Sequence, residues 1–112
     1  MKQIVAIIRP DKLQQTKKAL VMAGISGLTV TEVKGHGRQK GHREVYRGSE
    51  FHTDLMPKVR LEIVAADSEV EGITKAIIEN AQTGRIGDGK IFIFPVDNAI
   101  RVRTGESGDA AL

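Results

Sequence analysis

The chain has 112 residues, of which 40% are hydrophobic and 28% charged, and it contains no cysteine. That is enough for one domain with one core, and it excludes a disordered chain, a disulfide framework and thiolate metal sites. The net charge of +3 admits an anionic ligand without demanding nucleic acid, and no apolar run reaches the roughly 18–20 residues that span a membrane.

Lys2–Ile8 is an apolar, β-branched run (Ile4, Val5, Ile7, Ile8) and predicts a buried strand. It lacks the longer apolar region and small-residue cleavage site of a signal peptide, and the absence of cysteine leads to the expectation of a cytoplasmic location. Pro10 stops the strand, and Asp11 is the predicted N-cap of a helix over Lys12–Ala23. Leu13, Ala19, Leu20 and Ala23 form the apolar side of that helix, and Gly24 suits its C′ position. Gly27–Val33 reads as a second strand. Lys58–Ala65 is a third, with Val59, Leu61, Ile63 and Ala65 alternating against Lys58, Arg60 and Glu62. Ser68 and Glu71 are spaced as a capping box. They open a helix with Val70, Ile73, Ile77 and Ala81 on one stripe, despite Gly72 inside it, and Gly84 closes the region. Lys90–Val96 is a strongly apolar strand, Ala99–Arg103 a further short one, and Gly105–Leu112 a small, polar, mobile tail. The order β-α-β-β-α-β predicts a single α+β domain of ferredoxin-like type with an antiparallel sheet. Four consecutive apolar residues, Ile91–Phe94, ask for burial on both faces of their strand, which points to self-association through the open side of the sheet.

Residues 35–55 break this regularity. The stretch GHGRQKGHREVYRGSEFHTDL is polar and punctuated by glycine, and it is longer than the about 12–15 residues beyond which a loop in a compact domain is usually functional. Its opening, Gly35–Gly41, combines closely spaced glycines with Arg38, Gln39 and Lys40, a composition suited to an anion. His36, His42 and His52 are irregularly spaced and have no carboxylate cluster, so they do not read as a metal site. Gly84–Lys90 contains G-x-x-x-x-G-K. It departs from a true P-loop because Ile91 replaces the Ser or Thr and because the order is helix–loop–strand. Its glycines still let backbone amides converge on an anion beside Lys90. On a strand, Arg101 and Arg103 would share one side and suit a phosphate. Each of these features also has an ordinary reading as a solvated turn or surface charge. No catalytic nucleophile or paired-carboxylate spacing is recognisable, which favours a binding protein. The alternatives are a small phosphate-handling enzyme on the same fold, or an RNA-binding domain. The latter is disfavoured because the expected central strands, Gly27–Val33 and Lys58–Ala65, carry no aromatic residue for base stacking.

The segments Thr29–Gly35, Gly37–Gly41, Tyr46–Gly48, Pro57–Val59, Thr83–Gly84, Ile86–Phe92 and Ile100–Glu106 together resemble the PII signal-transduction proteins over essentially the whole chain. The resemblance implies a ferredoxin-like homotrimer, with no catalytic turnover, that binds ATP or ADP between subunits and 2-oxoglutarate together with Mg-ATP. Residues 35–55 would be the T-loop that docks on targets such as an ammonium transporter, a nitrogen-regulatory kinase or an enzyme. Gly87, Asp88, Gly89 and Lys90 would wrap the phosphates as the B-loop, and Arg101 and Arg103 would reach them from a neighbouring subunit. Thr29, Glu62 and Val64 would line the nucleoside pocket near Ile7, Gly35, His36, Gly37 and Arg38. Gln39 would contact magnesium. Lys58, Arg9 and the backbone of Gln39, Lys40 and Gly41 would hold 2-oxoglutarate. Tyr46, Arg47, Ser49 and Phe51 would form the docking tip. Phe51 stands where many relatives carry a nucleotidylated tyrosine, so that modification is excluded here. Ser49 matches a serine phosphorylated in the cyanobacterial branch. His36 stands where phenylalanine is frequent, beside the expected nucleotide.

Overall fold

The computed structural model describes residues 1–37, 43–46, 49–52 and 55–112, with 43–46 and 49–52 described by backbone alone. Strand β1 (Lys2–Ile8) leads through a 3-10 turn into helix α1 (Leu13–Met22), and β2 (Thr29–Gly35) follows. The long segment carries two short strands, β3 (Arg43–Tyr46) and β4 (Ser49–His52). Then come β5 (Met56–Ala65), a second 3-10 turn, helix α2 (Val70–Ala81) and β6 (Lys90–Pro95). The main sheet has the order β2-β5-β1-β6 with every pair antiparallel, which is the α+β ferredoxin-like arrangement expected. The stretch expected as a plain loop instead contains a separate antiparallel ribbon, in which Arg43 pairs with His52 and Tyr46 with Ser49.

The alternation read from the sequence sets the layers. Ile4, Ala6 and Ile8 of β1 and Val59, Leu61 and Ile63 of β5 are buried together with Leu20, Ile73 and Ile77 of the two helices. The opposite face is open. Cross-strand register puts Val64, Gln3 and Phe94 in one row and Glu62, Val5 and Phe92 in the next. Phe92 and Phe94 are 44% and 47% exposed there, so the apolar surplus of Ile91–Phe94 stays uncovered in the single chain. The sheet's central strands are β1 and β5, not the pair central in chain order, because β2 lies at an edge. An RNA-binding sheet stays disfavoured, since neither β1 nor β5 contains an aromatic residue.

Helix α1 ends as the sequence indicates. Gly24 takes φ +94°, its amide bonds the Val21 carbonyl, and the Ile25 amide returns to Leu20 at 3.0 Å. This is the double bond of a Schellman end. The helix starts differ. Asp11 lies inside the first 3-10 turn and caps nothing with its side chain; the Lys12 amide is satisfied by the Arg9 carbonyl at 3.1 Å. The capping box at Ser68 and Glu71 also does not form. The 3-10 turn Asp67–Glu69 supplies a backbone partner for the Glu69 amide, from Ala66 at 2.9 Å, and α2 begins only at Val70. In both places an i→i+3 backbone bond does what a side-chain cap was expected to do.

Ala99–Arg103 is not a strand. A single bridge joins Ile100 and Ser107, and Gly105 at φ +74° reverses the chain. The Arg101 amide bonds the Glu106 carbonyl at 2.8 Å and the Gly105 amide bonds the Arg101 carbonyl at 2.7 Å. The last residues, read from sequence as a tail, form a 3-10 turn (Gly108–Ala111), and the Leu112 carbonyl accepts from Arg101 at 3.1 Å.

One core group is poorly matched to its setting. Thr16 of α1 is fully buried, and its hydroxyl has no hydrogen-bond partner among the described residues. An unmet buried hydroxyl costs about 1–3 kcal/mol. Thr16→Val is therefore expected to raise stability by about 1 kcal/mol, read as a higher urea midpoint at unchanged slope.

Candidate functional site

A cavity of about 910 Å³ opens where the long segment leaves and rejoins the sheet. Ile7 and Phe92 form its apolar floor, Gly35, His36 and Gly37 one rim, and Arg85–Lys90 the other. The strand registers explain the convergence. Val33 faces Lys58 across β2 and β5, and Ile7 faces Arg60 on one side and Lys90 on the other, so these side chains share the open face at one end of the sheet. Among the described residues lining the cavity, Lys34, Lys58, Arg60, Arg85 and Lys90 are cationic and Asp88 is the only acid. This is a place for an anion.

The 84–90 strap is held from behind. Asp88 accepts from the Thr83 amide at 2.7 Å, the Gly84 amide at 2.8 Å, the Thr83 hydroxyl, and Arg9 Nε at 2.9 Å. These donors keep its carboxyl far below the usual carboxylate range, the Thr83 hydroxyl bond contributing most. Arg9 also donates to the Ile86 carbonyl at 2.8 Å, and Lys58 Nζ donates to the Gly87 carbonyl at 2.6 Å. Partial burial lowers the Lys58 pKa and the neighbouring Arg9 pushes it the same way, against opposing fields from Asp88 and Asp11. An arriving carboxylate or phosphate would relieve that repulsion.

Two carbonyls of the strap are thus bound by cations. The amides of Ile86, Gly87, Asp88 and Gly89 have no bonding partner among the described residues. Gly87 and Gly89 have φ of +104° and +102°. Glycines at positive φ let successive amides converge on an anion, as in an anion nest. Gly89 is required sterically as well, because a Cβ there would lie 1.6 Å from the Ile7 carbonyl oxygen.

Of the residues singled out from sequence, Ile7, Gly35, His36, Gly37, Lys58, Gly87, Asp88, Gly89 and Lys90 meet at this cavity. Arg9 supports it through Asp88. Thr29, Glu62 and Val64 lie farther along the same sheet face: Thr29 pairs with Glu62, which takes a 2.6 Å bond from Arg60. Arg101 and Arg103 do not line the cavity within one chain; Arg101 is paired with Glu106 at 3.2 Å in the C-terminal turn. Arg38, Gln39, Lys40, Gly41 and Arg47 lie outside the described residues, as do the side chains of Tyr46, Ser49 and Phe51. Sequence reasoning missed Lys34, Arg60 and Arg85 as lining cations. The signal for Arg60 was available, since it stands two residues from Lys58 on a strand of period two and must share its face.

The family model described as Nitrogen regulatory protein P-II matches residues 1–106. A protein named Nitrogen regulatory protein P-II from Cereibacter sphaeroides is 57% identical over all 112 residues of both chains. One of the same name from Klebsiella oxytoca is 58% identical over the full length of both, as is Nitrogen regulatory protein P-II 1 from Escherichia coli K12.

Proposed function

The chain belongs to the nitrogen regulatory protein P-II family, and we propose that it is a cytoplasmic sensor of adenine nucleotides and 2-oxoglutarate that controls target proteins through residues 35–55. The observation that carries this reading is the cationic cavity at the root of that segment, closed on one side by the Gly87–Lys90 strap. Its volume lies in the range of small-molecule pockets. The unbonded strap amides and Lys90 suit the phosphates of ATP or ADP, and Lys58 suits a carboxylate of 2-oxoglutarate. Magnesium would enter with the nucleotide and be held by phosphate oxygens and Gln39. The described residues contain no cluster of three acidic or imidazole groups that could hold it alone. Bound there, it would offset the repulsion between triphosphate and dicarboxylate.

Signalling needs no turnover. A ligand that fits one arrangement of the 35–55 segment better than another shifts the population toward it. Reversing a 1:99 ratio takes about 5.5 kcal/mol of differential binding, within reach of several charged groups meeting at the root of the segment. The targets proposed are an ammonium transporter, a nitrogen-regulatory kinase or an enzyme. No helix among the described residues is long and apolar enough to cross a membrane. Phe51 provides no hydroxyl for nucleotidylation, which leaves Ser49 as the matched covalent site. The active form is read as a homotrimer joined through the open sheet face, with Arg101 and Arg103 completing a neighbour's nucleotide site.

Calorimetry tests the sensor reading. ATP and ADP are expected to compete for one site per chain, and 2-oxoglutarate is expected to give heat only when Mg-ATP is present. Absent nucleotide binding, or 2-oxoglutarate binding without nucleotide, overturns it. Sustained ATP hydrolysis that disappears in Lys90→Ala would favour an enzyme instead.

A further inference from the structure

We propose that Asp88 is a positioning residue that shapes the phosphate nest from behind rather than a contact of the nucleotide itself. The proposal rests on the nucleotide reading of the cavity. Both carboxylate oxygens are already engaged. Oδ2 takes the Thr83 and Gly84 amides, at 2.7 and 2.8 Å, and Oδ1 takes the Thr83 hydroxyl and Arg9 Nε. The side chain is 22% exposed, and the Arg9 guanidinium paired with it is 19% exposed. The carboxylate acts as a resident anion on the first two amides of the loop, the Arg85 amide bonds the Thr83 hydroxyl at 3.2 Å, and those of Ile86 to Gly89 remain unbonded among the described residues. Arg9 extends the same brace. Its Nε is held by Asp88, which aims its Nη2 at the Ile86 carbonyl, 2.8 Å away. With that carbonyl drawn to Arg9 and the next drawn to Lys58, the amide between them, that of Gly87, is left to a ligand. A carboxylate placed in a cationic cavity opposes anion binding electrostatically, so its presence there calls for a structural return of this kind.

The two roles give opposite signs. If Asp88 is only one negative charge near the phosphates, Asp88→Asn removes repulsion, frees Arg9 and tightens ATP and ADP binding. If it is the brace, the substitution puts an amide nitrogen against donors, lets the strap relax and weakens binding of both nucleotides by about tenfold or more. The measurement is the calorimetric Kd for ATP and for ADP at fixed salt, beside the thermal midpoint and the solution mass. Thr83→Val and Thr83→Ser give a second, milder pair. The valine loses the hydroxyl donor and is expected to weaken ATP several-fold; the serine keeps it and is expected to restore affinity. In the wild type the Thr83 and Gly84 amides are expected to exchange slowly with solvent, and in Asp88→Asn quickly. If the wild type binds neither nucleotide, the nucleotide reading of the cavity fails. If the wild type binds and Asp88→Asn binds equally well or more tightly, the nucleotide reading stands and the positioning role is overturned. Should Asp88→Asn not fold, equal affinity in Thr83→Val and Thr83→Ser overturns it instead.

Discussion

Gly89→Ala is expected to reduce ATP and ADP affinity by about 100-fold or more while leaving the fold in place. Two penalties coincide at this position. Its φ of +102° disfavours any side chain by about 1–3 kcal/mol. The added Cβ would also lie 1.6 Å from the Ile7 carbonyl oxygen and 2.7 Å from its carbon, far inside contact distance. The carbonyl has little freedom to yield, because Ile7 is in a central strand, in register with Arg60 on one side and Lys90 on the other. The strap must move instead, away from β1 and into the space a phosphate would take, carrying the Gly87 and Gly89 amides out of alignment. The three atoms nearest the added Cβ all belong to the β1 backbone, so circular dichroism is expected to match the wild type. Gly72→Ala serves as the control. Nothing lies within 4 Å of a Cβ at Gly72, and inside α2 the change is expected to stabilise the helix by about 0.5–1 kcal/mol with binding unaffected. Gly89→Ala binding within threefold of the wild type would mean that the strap amides are not what holds the nucleotide.

The contrast between these two glycines shows which parts of the site can be read from the chain. The layered fold is local in origin: alternation in Lys58–Ala65 and the i, i+3, i+4 stripe of α2 each specify a buried face without reference to anything distant, and both were legible. So was the general suitability of Gly84–Lys90 for an anion. Geometry set by contacts far apart in sequence was not legible. Nothing near Gly89 announces that Ile7, more than eighty residues earlier, would sit against it. Nothing near Asp88 announces Arg9. Without those partners Asp88 reads as one more residue around the phosphates, whereas its carboxylate faces the loop's own amides. The turn at 99–107 failed for a related reason. Arg101-Val102-Arg103 has the alternation of a strand, but Gly105 lets the segment close on itself before it finds a strand to pair with. Helix starts failed most locally of all, since a side chain able to cap an amide is redundant once a 3-10 turn has satisfied it.

If copies of the chain associate through the open sheet face as proposed, Phe94→Asp is expected to leave a monomer, read by sedimentation at micromolar concentration, and to abolish tight nucleotide binding with it. Phe94 lies on the open sheet face in the row of Gln3 and Val64, is 47% exposed in the single chain, and has Phe92, two residues away, on the same face. Uncovered aromatic area of this kind is the usual driving surface of a homomeric interface. A carboxylate buried in such an interface would have to be stripped of water, a penalty of several kcal/mol per copy. In a closed symmetric assembly that penalty is repeated in every subunit. The chain itself has little reason to unfold, because the helix-side core of Ile4, Leu61, Ile63 and Ile77 lies on the other face of the sheet. Val21→Asp, on the exposed side of α1, is the matched control and is expected to leave the solution mass unchanged. Loss of nucleotide binding on dissociation follows from where the pieces lie. Within one chain Arg101 and Arg103 do not reach the cavity, and Thr29, Glu62 and Val64 lie along the sheet beyond it, so a site using both groups needs a second copy to bring them together. A Phe94→Asp monomer that retains full ATP affinity would show that the cavity works alone, whereas an unchanged oligomer would move the interface off the sheet face altogether.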